Sequence, residues 1–226
     1  MKRVITTLLA ALLVLSLAAC GSRVETKKLA GTWTCTIDVT DRMNAAAEQA
    51  LGLSAADGTA QMPLQLVLTV TEDGAYTLRY DSDAARTALD AYAAALHPAA
   101  VESVYAAAEE QGFSREEYDA AMEKAGITMD DMVAAIFAGV DEEELLSLLT
   151  GRSAAITGYC RAEGGQLYLA DTAAELAETA DCLSYTLSDG TMTWTDAQGE
   201  LSSQLTEQEQ ELLRVPLTWT KQEESK

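Results

Sequence analysis

The chain reads as an α+β protein: an antiparallel up-and-down β-barrel, or strongly curled meander sheet, of about eight strands with an α-helical insertion. Three observations predict this. Short runs alternating apolar residues with polar ones, threonine above all, recur early (Leu29 to Asp81) and late (Ala155 to Lys221). Two of the joints between such runs are Asp-Gly pairs, Asp73-Gly74 and Asp189-Gly190, a strong short-range hairpin signal. Between the two halves, residues 83–151 are dense in alanine, hardly alternate, and break into amphipathic segments. Closing a meander removes its exposed edges, which favours a barrel over an open sheet.

The N-terminus comes first. Lys2 and Arg3 precede an almost uninterrupted apolar run from Val4 to Ala19, too short for a spanning helix and ending in small residues, as export signals do. Leu17, Ala18, Ala19 and Cys20 resemble the lipobox of bacterial lipoproteins. That resemblance implies removal of residues 1–19, a diacylglyceryl group on Cys20, and a mature chain of 207 of the 226 residues. More than one acyl chain gives stable anchoring. The expected location is therefore extracytoplasmic, on a cell surface or periplasmic face, with the membrane as partner through the lipid on Cys20. Polar residues 20–28 read as a tether.

Leu29 to Thr40 is the first strand, with Trp33, Cys35, Ile37 and Val39 on one face and Thr32, Thr34, Thr36 and Asp38 on the other. Thr40 or Asp41 can cap a short helix to Leu51, ended by Gly52. Leu64 to Thr71 and Ala75 to Asp81 form the first Asp-Gly hairpin, with Leu66, Leu68, Val70, Tyr76, Leu78 and Tyr80 on one side. In the insertion, Ala84 to Leu96 and Ala99 to Gln111 read as two helices broken at His97-Pro98. Ser114 with Glu117, Thr128 with Asp131 and Asp141 with Glu144 open three more. The late strands are Ala155 to Ala162, Gln166 to Ala170, Leu183 to Leu187, Thr191 to Thr195 and Val215 to Lys221. Leu167, Leu169, Tyr185, Leu187, Met192 and Trp194 share their apolar side. A short helix from Thr206 to Arg214 precedes the last strand, and Pro216 places that strand at an edge or delays its start by one residue. The barrel domain is thus 29–82 with 152–222, and the helical insertion 83–151.

The segment Leu29 to Trp33, LAGTW, is similar to the Gly-x-Trp signature on the first strand of lipocalin-like proteins, through Gly31 and Trp33. The resemblance implies a meander barrel whose tryptophan closes the base and which commonly holds an apolar ligand. Trp33, Tyr76, Tyr80, Tyr185, Trp194 and Trp219 are the candidate pocket; the same residues can instead fill a small eight-stranded barrel.

Composition narrows the function classes. The net charge is −21, and loss of Lys2 and Arg3 with the signal leaves −23. Such a body repels phosphate backbones, so nucleic acid is not an expected partner. Cys35, Cys160 and Cys182 allow one disulfide and a spare thiol, or none; Cys35 on the inward face suits a small buried apolar role. His97 is the only histidine, so no histidine cluster exists for a metal, and its place at a helix end beside Pro98 suits a capping role better than catalysis. Asp81 and Asp83 begin like a calcium loop but lack the glycine and terminal glutamate of an EF-hand. No metal or cofactor is expected. The reading is a non-enzymatic binding or interaction module, its partner a protein or a small apolar ligand; the alternatives are a carrier of a small hydrophobic ligand inside the barrel and, last, a hydrolase using paired carboxylates.

Overall fold

The computed structural model describes residues 25–53, 60–138, 155–178, 182–198 and 213–223. The expected export signal, Cys20, residues 54–59, the helix expected over Asp141 to Leu149 and most of that over Thr206 to Arg214 lie outside them. Eight strands form a closed antiparallel barrel in chain order. They are β1 (Gly31–Asp38), β2 (Pro63–Val70), β3 (Ala75–Tyr80), β4 (Ile156–Glu163), β5 (Gln166–Ala170), β6 (Cys182–Ser188), β7 (Thr191–Gln198) and β8 (Leu217–Lys221). Closure is made by β1 against β8, with Trp33 opposite Lys221 and Thr34 opposite Thr220.

The turns follow their residues. Asp189 and Gly190 both have positive φ, 45° and 75°, as do Gly164 and Gly165, 60° and 78°, the backbone that two-residue hairpins require. The 72–74 turn is one residue longer. Gly74, at φ 88°, donates its N–H to the Thr71 carbonyl, and its own carbonyl accepts the Cys160 N–H at 2.7 Å. Sequence did not reveal one irregularity. Ser184 faces Asp196 but Tyr185 faces Trp194, so Thr195 is an extra residue in β7. Its hydroxyl donates to the Ser184 carbonyl at 3.2 Å. Such a bulge flips the alternation, which lets Trp194 and Ala197 both lie opposite inward residues of β6. Leu187, expected on the apolar side, is exposed beside the Asp189-Gly190 turn. The last strand starts at Leu217, after Pro216, and in a closed barrel it is not an edge.

Residues 25–28 do not behave as a tether: 25–29 are helical. Thr26 is buried and its hydroxyl accepts the Ala162 N–H at 3.0 Å. The Glu25 carboxylate accepts the Gly164 N–H at 2.7 Å, and the Leu29 carbonyl accepts Trp33 Nε1–H at 2.8 Å. These polar residues are recruited because they answer backbone donors of distant strands.

Two compact units divide the described chain: a barrel unit of 25–35, 66–80 and the described residues from 155 on, and a helical unit of 36–53, 60–65 and 81–138. The helical unit holds α1 (Thr40–Leu51), α2 (Ser82–Glu110), α3 (Arg115–Ala125) and α4 (Met129–Phe137). Helix α1 begins at Thr40 with Val39 as its cap position, so neither Thr40 nor Asp41 caps it. Instead Thr40 donates its N–H to the Asp38 carboxylate, and its hydroxyl accepts the Met62 N–H.

Helix α2 runs unbroken through Pro98. A mid-helix proline forfeits a hydrogen bond and costs about 3 kcal/mol. Burial outweighs this, because Leu89, Tyr92, Leu96, Ala100, Val104 and Ala108 form one stripe that passes across the proline. Leu53, Ala100 and Val133 are the buried centre of a cluster that Val101, Ile136 and Phe137 pack against. Helices α3 and α4 open with complete capping boxes at Ser114/Glu117 and Thr128/Asp131. Helix α3 buries no side chain. It is tied to α2 by Arg115, whose guanidinium donates to both oxygens of Glu102 and to Glu109 and lies 4.7 Å above the Tyr105 ring.

Candidate functional site

Residues directly opposite one another in an antiparallel pair share a face. Tyr80 lies opposite Leu66 and Tyr76 opposite Val70; Tyr76 is also opposite Gly158. Tyr185 is opposite Trp194, Met192 opposite Trp219, and Trp33 opposite Lys221. All six aromatic candidates therefore point to the inward face of the barrel unit. Trp33, Tyr76, Trp194 and Trp219 are buried, while Tyr80 and Tyr185 are half-buried. The Trp194 and Trp219 rings are in contact, their centroids 4.8 Å apart and tilted by 48°.

Lys221, which sequence reasoning missed, completes the ring of Trp33. Its Nζ lies 5.3 Å from the Trp33 ring centre, a cation over a π face. Gly31 leaves room for this, since a Cβ there would come within 2.8 Å of Lys221 Cε. The signal was present: Lys221 shares the parity of Leu217 and Trp219 on the closing strand. The interior is otherwise apolar, with Leu66, Leu68, Leu78, Ala162, Leu167, Leu183 and Leu217 buried.

The three cysteines are buried thiols, none in a disulfide. Burial pushes the Cys160 thiol up to about 12 and raises Cys35, the latter offset by a hydrogen bond from the Thr218 backbone. Burial, with smaller contributions from the Glu25 and Cys160 charges, also raises the Tyr185 hydroxyl. Because the folded values lie above the unfolded ones, this stability is complete below about pH 8.5 and is lost as pH rises toward 12. Unfolding midpoints in urea should thus fall between pH 9 and 11, and less steeply in Cys160→Ala. A thiol reagent at pH 8 should leave Cys160 unlabelled until denaturant is added; rapid labelling of the folded protein would contradict its burial.

Four acidic residues have structural hydrogen-bond partners. The carboxylates of Asp73, Glu102, Glu117 and Asp131 are all held below their ordinary values, chiefly by hydrogen bonds from Thr71, Arg115, the Ser114 backbone and Thr128 respectively. A glycosidase acid needs the opposite displacement. His97 sits within α2, its Nε2 3.1 Å from Asp130 Oδ1 on an exposed surface. Among the described residues no three His, Cys, Asp or Glu side chains converge as a metal site would require, and no helix is long and apolar enough to cross a membrane.

Comparison with protein-family models, curated proteins and solved structures finds no match to the chain. The architecture stands on its own geometry: a closed eight-stranded antiparallel barrel with helices, an arrangement consistent with a lipocalin-like fold.

Proposed function

We propose that the protein is a membrane-anchored extracytoplasmic lipoprotein, held by lipid on Cys20, whose lipocalin-like barrel acts as a non-enzymatic binding module. The observation that carries this reading is the inward aromatic face of a closed barrel, with Trp33, Trp194 and Trp219 buried on it. The Cys20 assignment rests on the Leu-Ala-Ala-Cys run after an apolar stretch. Two occupants fit this reading, a protein partner and a small apolar guest; among the described residues the buried indole N–H groups of Trp194 and Trp219 have no acceptor.

Intact mass spectrometry under native and denaturing conditions tests both halves. The chain extracted from its host's membranes should begin at Cys20 and carry diacylglyceryl mass, whereas Cys20→Ala should retain residues 1–19 and lack the lipid. Under native conditions the wild-type chain should carry a further mass that denaturation removes. An unmodified N-terminus would defeat the anchor, and the absence of any releasable mass would count against the guest.

A further inference from the structure

The two ends of the barrel are unlike. Strand direction puts the starts of β1, β3, β5 and β7 and the ends of β2, β4, β6 and β8 together at one end. There the strands are joined only by tight hairpins, at residues 71–74, 164–165 and 189–190. At the opposite end the connections within the barrel unit are long, residues 171–181 and 199–216. Backbone bonds knit the hairpin end together: Cys160 N–H donates to the Gly74 carbonyl at 2.7 Å, Tyr185 N–H to Gly165 at 2.9 Å and Lys221 N–H to Gly190 at 2.8 Å.

The chain enters at the hairpin end. Residues 25–29 precede β1, and Glu25 and Thr26 accept the N–H groups of Gly164 and Ala162, so this entry is fastened to the β4–β5 hairpin. Thr26 also stands beside the β2–β3 turn, its Cγ2 3.3 Å from where a Cβ on Gly74 would lie. An anchor before residue 25 therefore pulls on the hairpin end alone. Charge is sorted in the same direction. The segments attached at the hairpin end (20–30, 71–74, 164–165, 189–190 and 222–226) hold six acidic and four basic residues, a net −2. The two long connections hold eight acidic residues and one basic, a net −7. Lys27, paired with Glu72 at 3.3 Å, Lys28 and Lys221 are exposed at the hairpin end. Of the two ends, an anionic lipid surface repels the one with the long connections more strongly.

We propose, resting on the lipid at Cys20 in the reading above, that the hairpin end of the barrel is its lipid-facing surface. The barrel stands on an anionic bilayer with this end toward the headgroups and the end bearing the long connections turned away. Tether and charge act in the same sense: the fastening at Glu25 and Thr26 chooses the end, and the excess of acid at the other end keeps the barrel from turning over.

Energy transfer to the bilayer tests the orientation. The lipidated full chain, purified from its host's membranes, is reconstituted into vesicles of phosphatidylcholine and phosphatidylglycerol that carry an acceptor dye on a headgroup. The donor dye is attached to Ser188→Cys at the hairpin end or to Ala173→Cys in the 171–181 connection, both exposed positions. Lipid occupies the Cys20 sulfur, and Cys35, Cys160 and Cys182 are buried, so the introduced thiol alone reacts. The two sites are separated along the barrel axis by the length of β6 (Cys182–Ser188). That places Ala173 higher by about 18 Å, at about 3.3 Å per residue and a tilt of about 40°. Transfer from Ser188 should be severalfold stronger, because it falls steeply with height above a plane of acceptors. The gap should be wider at about 10 mM salt, where the screening length is about 30 Å, than at about 150 mM, where it is about 8 Å. Glu223→Cys and Glu178→Cys repeat the comparison should either first variant misfold. Equal transfer from both ends would overturn the orientation while leaving the anchor intact, and stronger transfer from Ala173 would reverse it. A gap indifferent to salt would remove the part assigned to charge. A chain without diacylglyceryl mass, left behind when the vesicles are floated, would instead defeat the anchor reading and this inference with it.

Discussion

Trp219→Ala is expected to lower the unfolding free energy by about 3–5 kcal/mol, the range for deleting a large buried aromatic. Trp219 is fully buried on the strand that closes the barrel, opposite Met192 and in contact with the Trp194 ring. Removing it opens a void that its neighbours cannot fill without giving up strand pairing on both sides of β8. Domains of this size are stable by only about 5–15 kcal/mol, so the variant should be partly unfolded at moderate urea. Urea titration followed by far-ultraviolet circular dichroism measures this independently of tryptophan emission. A midpoint unchanged from wild type would mean that the interior at Trp219 is loosely packed.

Gly74→Ala should cost nearly as much, about 2–5 kcal/mol, for two separable reasons. A side chain at φ 88° is strained by about 1–2 kcal/mol. Its Cβ would also be driven onto the Cys160 carbonyl oxygen, a backbone atom in β4 that cannot swing aside. Forcing such a contact costs about 1–3 kcal/mol. Gly112 provides the comparison. It has the same φ of 88° but nothing within 4 Å of an added Cβ, so Gly112→Ala carries the strain alone. Equal losses in the two variants would show that the contact with Cys160 relaxes freely.

Much of this fold is legible in the sequence because its signals are local. Asp189-Gly190 and Gly164-Gly165 name their own turns, and alternation puts Trp33, Tyr76, Tyr80, Tyr185, Trp194 and Trp219 on one face before any coordinates are seen. What escaped depends on partners far away in the chain. Glu25 and Thr26 look like linker until Gly164 and Ala162 are there to donate to them, 139 and 136 residues on. Pro98 looks like a helix end, since its cost is local whereas the burial of Leu96, Ala100 and Val104 that offsets it is tertiary. The extra residue at Thr195 leaves no mark in a run of threonines. For the candidate site, the aromatic lining was visible, but the Lys221 contact on Trp33 and the two stranded indole donors were not, because both arise only when the last strand meets its neighbours.

If Cys20 carries lipid as proposed, the fastening of residues 25–29 fixes how far the body can stand from that anchor. With Glu25 and Thr26 bound to the strands, only residues 20–24 separate a lipid on Cys20 from the barrel. Fully stretched, five residues span about 16–18 Å. That is roughly two screening lengths at physiological salt, so at full stretch the repulsion between an acidic body and anionic headgroups would be largely screened, and only a slack leash would bring the body within its range.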